Sequence, residues 1–566
     1  VSRDELPLVL LYEVPQLWDA DRENLANDRY TVRGVVVELV PPIDWRMDPE
    51  DNLNWRFWFH AMQHLDVPLR IYELDDDLEA LAKARDMMLD WVTANPIGGE
   101  RTGDYAWFDM SAGIRASFLG YVWRECRRRD LLDSDQEQVL TESVHTHARW
   151  LSDEENYTGE TNHGLFQDAG LYLMAAYAAE LPESAQLQEF AEDRFLATLE
   201  RHVDFEEGVH KEQSPSYHFY IRDVVKRLNE HAGIGGERLA ELVSKLDAAA
   251  GWMVLPDGRM TPFGDTDLTE APAFARETAG DQGLRTFLRT GYAFVRENGS
   301  YLAMTCTYHS YAHNHADALS WCLFDNDHLV VGEAGRYGYR DEKEPARVYA
   351  RGSHGHNVLI VDDESFPWRE RDAFGSGLLA AGEDDGWYVI LGRNPLVEPV
   401  DHRRVLLYRP GELALVVDRL WAEDEHVIDR RLHFGPELVA ERSDDGVVAK
   451  DVDGRVVATL FDASDVPVEI GLARGVEEPR MDGWTFPSDL TKVPSDAVTL
   501  RSTMAGGLLI HGVALGAGVP ERVTARAEGR RLVIEVVGPE GSSEVVVSPS
   551  PDLSVASISP VPDGRT

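Results

Sequence analysis

"GYAFVRENGSYLAMTCTY", residues 291–308, is the stretch on which the fold turns. Two runs of aromatic and aliphatic residues flank Asn298-Gly299, the pair preferred by a two-residue hairpin because both central positions take positive φ. The texture repeats downstream in "SWCLFDNDHLVVGEAG" (320–335), "VLLYRPGELALVVD" (405–418), "VVAKDVDGRVVATL" (447–460) and "RRLVIEVVGPEGSSEVVVS" (530–548). Asp453-Gly454 is a second hairpin signal. Strands at this spacing, with no helical pattern between them, predict a large antiparallel β-sandwich.

Upstream the period changes. In "DSDQEQVLTESVHTHARWL" (133–151), Ser134 and Glu137 read as a capping box. Leu140, Val144, Ala148 and Leu151 then share one helical face. "GERLAELVSKLDAAAGWMV" (236–254) has the same pattern, and such segments recur from about residue 50 to 255 without a strict period, which excludes near-identical repeats. The chain is therefore expected to be multidomain, α then β, with a helical domain over 1–280 and a β domain over 281–566 joined within 268–287.

A length of 566 residues suits two or three domains, and 43% hydrophobic with 27% charged residues is a globular composition. No apolar run is long enough to span a bilayer. "LPLVLLYEV" (6–14) is short and lacks a basic leader, so it does not read as a signal peptide. A soluble, cytoplasmic protein is favoured, with a processed start at Val1 leaving export open. Cys126, Cys306 and Cys322 have neither metal-type spacing nor the look of a disulfide framework. The formal charge of −45, with 100 acids dispersed among 55 bases, describes a heavily hydrated surface. It argues against nucleic-acid binding, which needs a basic footprint.

Within "HNHADALSW", His313, His315 and Asp317 look like the start of a metal site. A metallo-β-lactamase-type cluster needs a further histidine where Ala318 stands, and the amidohydrolase pattern belongs on the first strand of a barrel. Glu333 at one strand end and His356 before another could instead join a histidine in a closed zinc site. In a strand, residues 313 and 315 point the same way, so one can bind metal while the other faces a cleft. Asp317 is expected only to support the strand. Asn162-His163 heads an apolar helix, Glu212, Ser214, Pro215 and Tyr217 precede another, and Gly264-Asp265 lies in a turn. Singly these read as a helix cap, a half-buried aromatic and a turn residue.

In order, "LNWRFWFHAMQHL", "NHGLFQDAGLYLMA", "HKEQSPSYHFY", "PDGRMTPFGDTD", "HNHADALSWCL", "LVVGEAGRYGY" and "SHGHNVLIVDD" resemble the heparinase II/III-like polysaccharide lyases, over about residues 50 to 365. The resemblance implies an incomplete (α/α) toroid followed by an antiparallel β-sandwich, the cleft lying between them. Beyond about residue 400 it is architectural only. It also implies β-elimination on a uronic-acid-containing polysaccharide. The C5 proton beside a uronate is barely acidic until the carboxylate is neutralised. A base then removes it while an acid protonates the departing O4.

Carried over by motif, Asn162 and His163 are the carboxylate-binding and proton-handling groups, Tyr217 the catalytic tyrosine, and His313 the histidine facing substrate. His315, Glu333 and His356 fall at a structural zinc site, Glu333 standing where the family usually has Asp. Trp107, Arg115, Glu212, Tyr337, Tyr349 and Arg351 are further candidates for substrate contact, through stacking or through bidentate Arg–carboxylate bonds. Without a dense Lys/Arg cluster, a less sulfated uronan (alginate-like, glucuronan, hyaluronan or chondroitin type) is expected rather than heparin or heparan sulfate. The partner is thus an acidic polysaccharide or oligosaccharide, with no nucleic acid and no membrane. The sequence sets no oligomeric state, and a homodimer is compatible with it. The competing class is a glycoside hydrolase using Glu212 and Asp265 as its two carboxylates. The third is a carbohydrate-binding protein without turnover.

Overall fold

Asn298 and Gly299 take φ of 49° and 89° and close the expected hairpin, pairing Tyr292–Glu297 with Ser300–Thr305 so that Glu297 lies opposite Ser300. The computed structural model describes residues 6–12, 16–49, 51–99, 105–339, 341–367, 369–516, 518–529, 531–538, 541–547 and 559–560; Val1 lies outside them. Two compact units emerge. One runs to Phe205 and takes in Tyr220–Ser244; the other holds Glu206–Phe219 and continues from Lys245. A single junction at 268–287 is therefore replaced by passages at 205/206, 219/220 and 244/245. The physical reason is burial: Val209, Phe219 and the end of helix Gly236–Trp252 pack in one cluster with the strand residues Phe294, Tyr301 and Phe324.

The first unit is helical. Helices Asp109–Arg128 and His163–Tyr177 are buried along nearly their whole length, the second apolar on most of its circumference. Leu78–Ala94, Ser134–Ser152 and Ser184–His202 bury one face each. Gly113 and Gly170 let the two inner helices meet, since a Cβ on either would run into backbone of the other helix. The N-cap of Ser134–Ser152 is Asp133, paired in a capping box with Gln136, one residue before the Ser134/Glu137 reading. Asp133 accepts from the backbone N–H groups of Asp135 and Gln136 at 3.0 and 2.8 Å, a cap worth about 1 kcal/mol.

The second unit is mostly antiparallel sheet, as anticipated. A five-stranded sheet runs, edge to edge, through His328–Val331, Trp321–Asp325, Ser300–Thr305, Tyr292–Glu297 and Gly283–Phe287. Its two faces follow the period of two: Leu302 and Met304 join the core shared with Leu406, Val416 and Leu432, while Tyr301 and Ala303 face Trp252 and Met253. The larger ten-stranded sheet centres on Leu413–His433 and Asp496–Leu515, which pair over most of their length. Its other face is covered by Val523, Ile534 and Val545 of the C-terminal sheet. Among the described residues, no helix is long and apolar enough to cross a membrane.

Candidate active site

In the second unit the candidate motifs converge through a turn and a loop. Pro215 opens helix Pro215–Arg227, where a missing N–H does no harm. The preceding Ser214 Oγ donates to the Asp265 carbonyl at 3.0 Å and lies 2.8 Å from Thr266 Oγ1, tying "SPSY" to the 264–267 turn. Gly264, at φ +53°, allows the approach: a Cβ there would stand 2.5 Å from the Gln213 carbonyl. Tyr217 is thereby set on His313, their rings stacked with centroids 3.4 Å apart and planes 19° apart.

His313 and His315 are not in a strand, contrary to expectation. They lie in the irregular loop between Thr307–Tyr308 and Trp321–Asp325, with His313 at φ +55°. The left-handed residue turns the two side chains to different partners. His313 Nδ1 is 2.9 Å from Glu212 Oε2, a fully buried carboxylate. Since that oxygen accepts, Nδ1 carries a proton and is the ring nitrogen committed to Glu212.

His315 Nε2 donates instead to Asp265 Oδ1 at 2.8 Å. Asp265 also accepts from Arg347 Nη1 and Nη2 at 2.6 and 3.1 Å, and from the Tyr339 hydroxyl at 2.9 Å. Burial works against its charge, but Arg347 and His315 hold the carboxyl well below the usual range. His315 itself is driven down to about 3 by burial, with Asp265 opposing, so it is neutral. Tyr339 spends its proton on Asp265, so across the 3.0 Å contact Tyr217 donates to Tyr339. Burial first, and then Asp265, push the Tyr217 hydroxyl up to about 12.

In the first unit, Asn162 and His163 stand at the head of helix His163–Tyr177. Asn162 is buried and its side chain makes no cap hydrogen bond, so capping is not its task. His163 Nδ1 is 3.0 Å from Asp109 Oδ2, the opening residue of helix Asp109–Arg128.

The weaker candidates separate. Arg115 is fully buried, 3.7 Å over the Trp91 ring, and bonds His147 Nε2 and the His60 carbonyl. This corrects its assignment to substrate. Tyr349 is likewise a core residue, with its hydroxyl 3.1 Å from His433 Nε2. Glu212 touches His313 and is buried, so it positions a histidine rather than meeting a sugar or serving as a hydrolase carboxylate. Asp265 is equally enclosed. Trp107 is half-buried and donates to the Asn95 carbonyl. Tyr337 bonds Glu344, and Arg351 braces the loop through the Asn314 carbonyl and Glu342. Asp109 and Tyr339 went unread in the sequence. Asp109 sits 54 positions from His163, and Tyr339, although inside "GRYGY", is one of many tyrosines.

The expected zinc ligands fit in part. His315 Nδ1 and His356 Nε2 are buried without hydrogen-bond partners, and the two rings lie 5.2 Å apart. Glu333 is otherwise engaged: its oxygens accept from Ser320 Oγ, Asn357 Nδ2 and His356 Nδ1. Against the cost of burial, Glu333 raises the His356 imidazole above its ordinary value.

Two family models match the chain consecutively, heparinase II/III N-terminus over residues 29–284 and heparinase II/III-like C-terminal over 279–545. Among solved structures, a heparinase III is 14% identical with a TM-score of 0.76, covering 96% of this chain and 93% of that one. The heparan sulfate lyase HepC from Pedobacter heparinus is 17% identical with a TM-score of 0.68, covering 95% and 90%. A heparinase III gene product with methylated lysines is 15% identical with a TM-score of 0.72, covering 97% and 93%. No curated protein matches the sequence. The two models together take in both units of the fold, and on that ground the chain belongs to the heparinase II/III-like family and is a polysaccharide lyase.

Proposed function

We propose that this lyase cleaves a uronic-acid-containing polysaccharide by β-elimination at O4, leaving an unsaturated uronate, with a weakly sulfated or unsulfated uronan as substrate. The observation that carries the reading is the stack of Tyr217 on His313, with His313 Nδ1 fixed by Glu212. One group is held as a proton acceptor and its neighbour as a proton donor, the pair an elimination without water requires. His313 Nε2 takes the C5 proton, and the Tyr217 hydroxyl protonates O4. Enolate-like charge developing on the uronate calls for hydrogen-bond donors at its carboxylate, the role carried over by motif to Asn162 and His163. A divalent metal, zinc by its nitrogen-rich donor set, is held by His315 and His356 and stiffens the loop that carries His313. Elimination needs no activated water, so the metal has a structural role.

The preference for low sulfation rests on charge. Arg336, Arg347 and Arg351, three guanidinium groups of the second unit near these residues, are paired with Asp267, Asp265 and Glu342. A heparan sulfate substrate is the second reading, favoured by the names of the similar solved structures. The test is a panel of alginate, glucuronan, hyaluronan, unsulfated chondroitin, heparan sulfate and heparin, followed by new near-ultraviolet absorbance. Turnover of the unsulfated chains above the sulfated ones is expected. The reverse order selects the second reading, and no absorbance on any of them sinks both.

A further inference from the structure

On a chain with 100 acids to 55 bases, a basic side chain finds a carboxylate easily. Arg336, Arg347 and Arg501 each hold one through two nitrogens. One face of the ten-stranded sheet departs from this. Across strands Trp387–Asn394, Asp401–Arg409, Leu413–His433 and Asp496–Leu515, the residues Leu391, Val405, Val417 and Ile510 stand opposite one another and are covered by the C-terminal sheet. One step along the same face, the next row is Arg393, Arg403, Arg419 and Leu508. Here the side chains emerge into solvent: Arg393 and Arg403 are 51% and 44% exposed, and Arg419 is exposed too.

Like charges directly opposite one another destabilise a sheet, and two such pairs adjoin here. Asp401 is the carboxylate they share, 3.2 Å from Arg393 Nε and 4.0 Å from Arg403 Nε. Arg419 has no ion pair among the described residues. Trp421, two residues on from Arg419 and on its face, is 63% exposed. It lies opposite Asp401 and Gly506, so no bulky neighbour on either strand covers its indole.

We propose that this row is a second binding surface for an acidic polysaccharide, apart from the candidate active site. The proposal rests on the reading that the substrate is a uronan. Guanidinium groups suit carboxylates, and an exposed indole offers a flat apolar face to a sugar ring. Neighbouring strands lie about 4.8 Å apart, comparable with the length of a sugar ring, so the three arginines can follow an extended chain laid across the strands. A chain laid along Leu413–His433 would instead meet Glu423, Asp424 and Glu425, all exposed just beyond Trp421. Arg404, whose side chain points to the other face, donates to the Leu319 carbonyl in the loop that carries His313. The arginine row is thus on the reverse of the sheet from that loop. A long polymer held there raises its own concentration around the enzyme, which a short oligosaccharide does not.

The test compares the full chain with its Arg403→Gln/Arg419→Gln and Trp421→Ala variants. On a polymer that is turned over, KM should rise at least about 3-fold with kcat unchanged, while kcat/KM on a tetrasaccharide of the same polymer keeps its wild-type value. An unchanged KM, or an equal change on polymer and tetrasaccharide, would overturn the surface. Binding is read apart from turnover, in a Tyr217→Phe background, as retardation in gels cast with each of the six polymers of the substrate panel. Both variants should weaken retardation at least about 3-fold. Unchanged retardation beside normal turnover refutes the surface and leaves the substrate reading standing. Weakened retardation with no turnover of any polymer supports the surface and sinks the substrate reading. All three side chains are exposed, so the variants should melt within about 2 °C of wild type. A melt lower by more than about 5 °C would assign the row to the fold. Conversion of a wild-type dimer to monomer by these substitutions, read by sedimentation, would make the face a contact between copies of the chain and overturn the proposal.

Discussion

Tyr217 illustrates how much of a residue's chemistry is decided by what it touches. In the chain it is a tyrosine after "SPS"; in the fold its hydroxyl is aimed at Tyr339, which is aimed at the buried anion Asp265. Burial and that anion raise it to about 12 from an ordinary 10. A raised phenol keeps its proton through neutral and mildly alkaline pH and loses it only as pH climbs through the folded value. If Tyr217 is the acid, kcat/KM should therefore show no alkaline loss from this group below about pH 9. Tyr217→Phe should lower kcat by about 10²–10⁴-fold with KM little changed, the usual share of a general acid. Steady-state rates from product absorbance over a pH series check both. A limb near pH 7 that disappears in the residual activity of Tyr217→Phe would contradict the role. The motifs single out Tyr217 and His313 in the sequence, and the fold stacks their rings on each other. Arg115 misled, because a guanidinium stacked on Trp91 and one facing a sugar look alike in sequence.

Among the elements, helices Asp109–Arg128 and His163–Tyr177 do the most to place the first unit's candidate residues. Asp109 opens one and His163 the other, and their 3.0 Å contact depends on how closely the helices cross. Gly113 and Gly170 set that crossing. A methyl group at Gly170 would meet the Gly113 carbonyl, so Gly170→Ala should cost at least about 1–3 kcal/mol and shift His163 against Asp109. A lowered melting temperature with a disproportionate fall in kcat would support this; an unchanged melt would refute it. Helices, hairpins and their order could be read from periodicity and turn residues, and the Asn298-Gly299 hairpin closes where expected. Local signals were ambiguous at two places. Asp133 and Ser134 are both good caps, and the structure uses Asp133. The polar loop around His313 resembled a strand because an apolar run follows it, yet the strand begins only at Trp321.

Across the whole molecule, excess negative charge shapes stability. A formal −45 on 566 residues opposes the compact state by self-repulsion. Exposed ion pairs such as Arg22–Asp75 and Arg238–Glu200 return little, about 0–1 kcal/mol each. Salt screens the long-range repulsion more than these contacts. Raising NaCl from about 0.02 to 0.5 M should therefore raise the melting temperature, read by scanning calorimetry; a fall would mean the ion pairs dominate. By itself the sequence determined the α-then-β order, the hairpins, the family and the motif residues, because these are written in period, turn chemistry and short local patterns. Only the tertiary structure decided the rest: that 206–219 folds with the β unit, that Glu212 grips His313, and that Tyr339 links Tyr217 to Asp265. It also decided that Glu333 is spent on hydrogen bonds. Those pairings join residues up to 122 positions apart, and their partners are chosen by burial and unsatisfied charge, which no stretch of sequence shows alone.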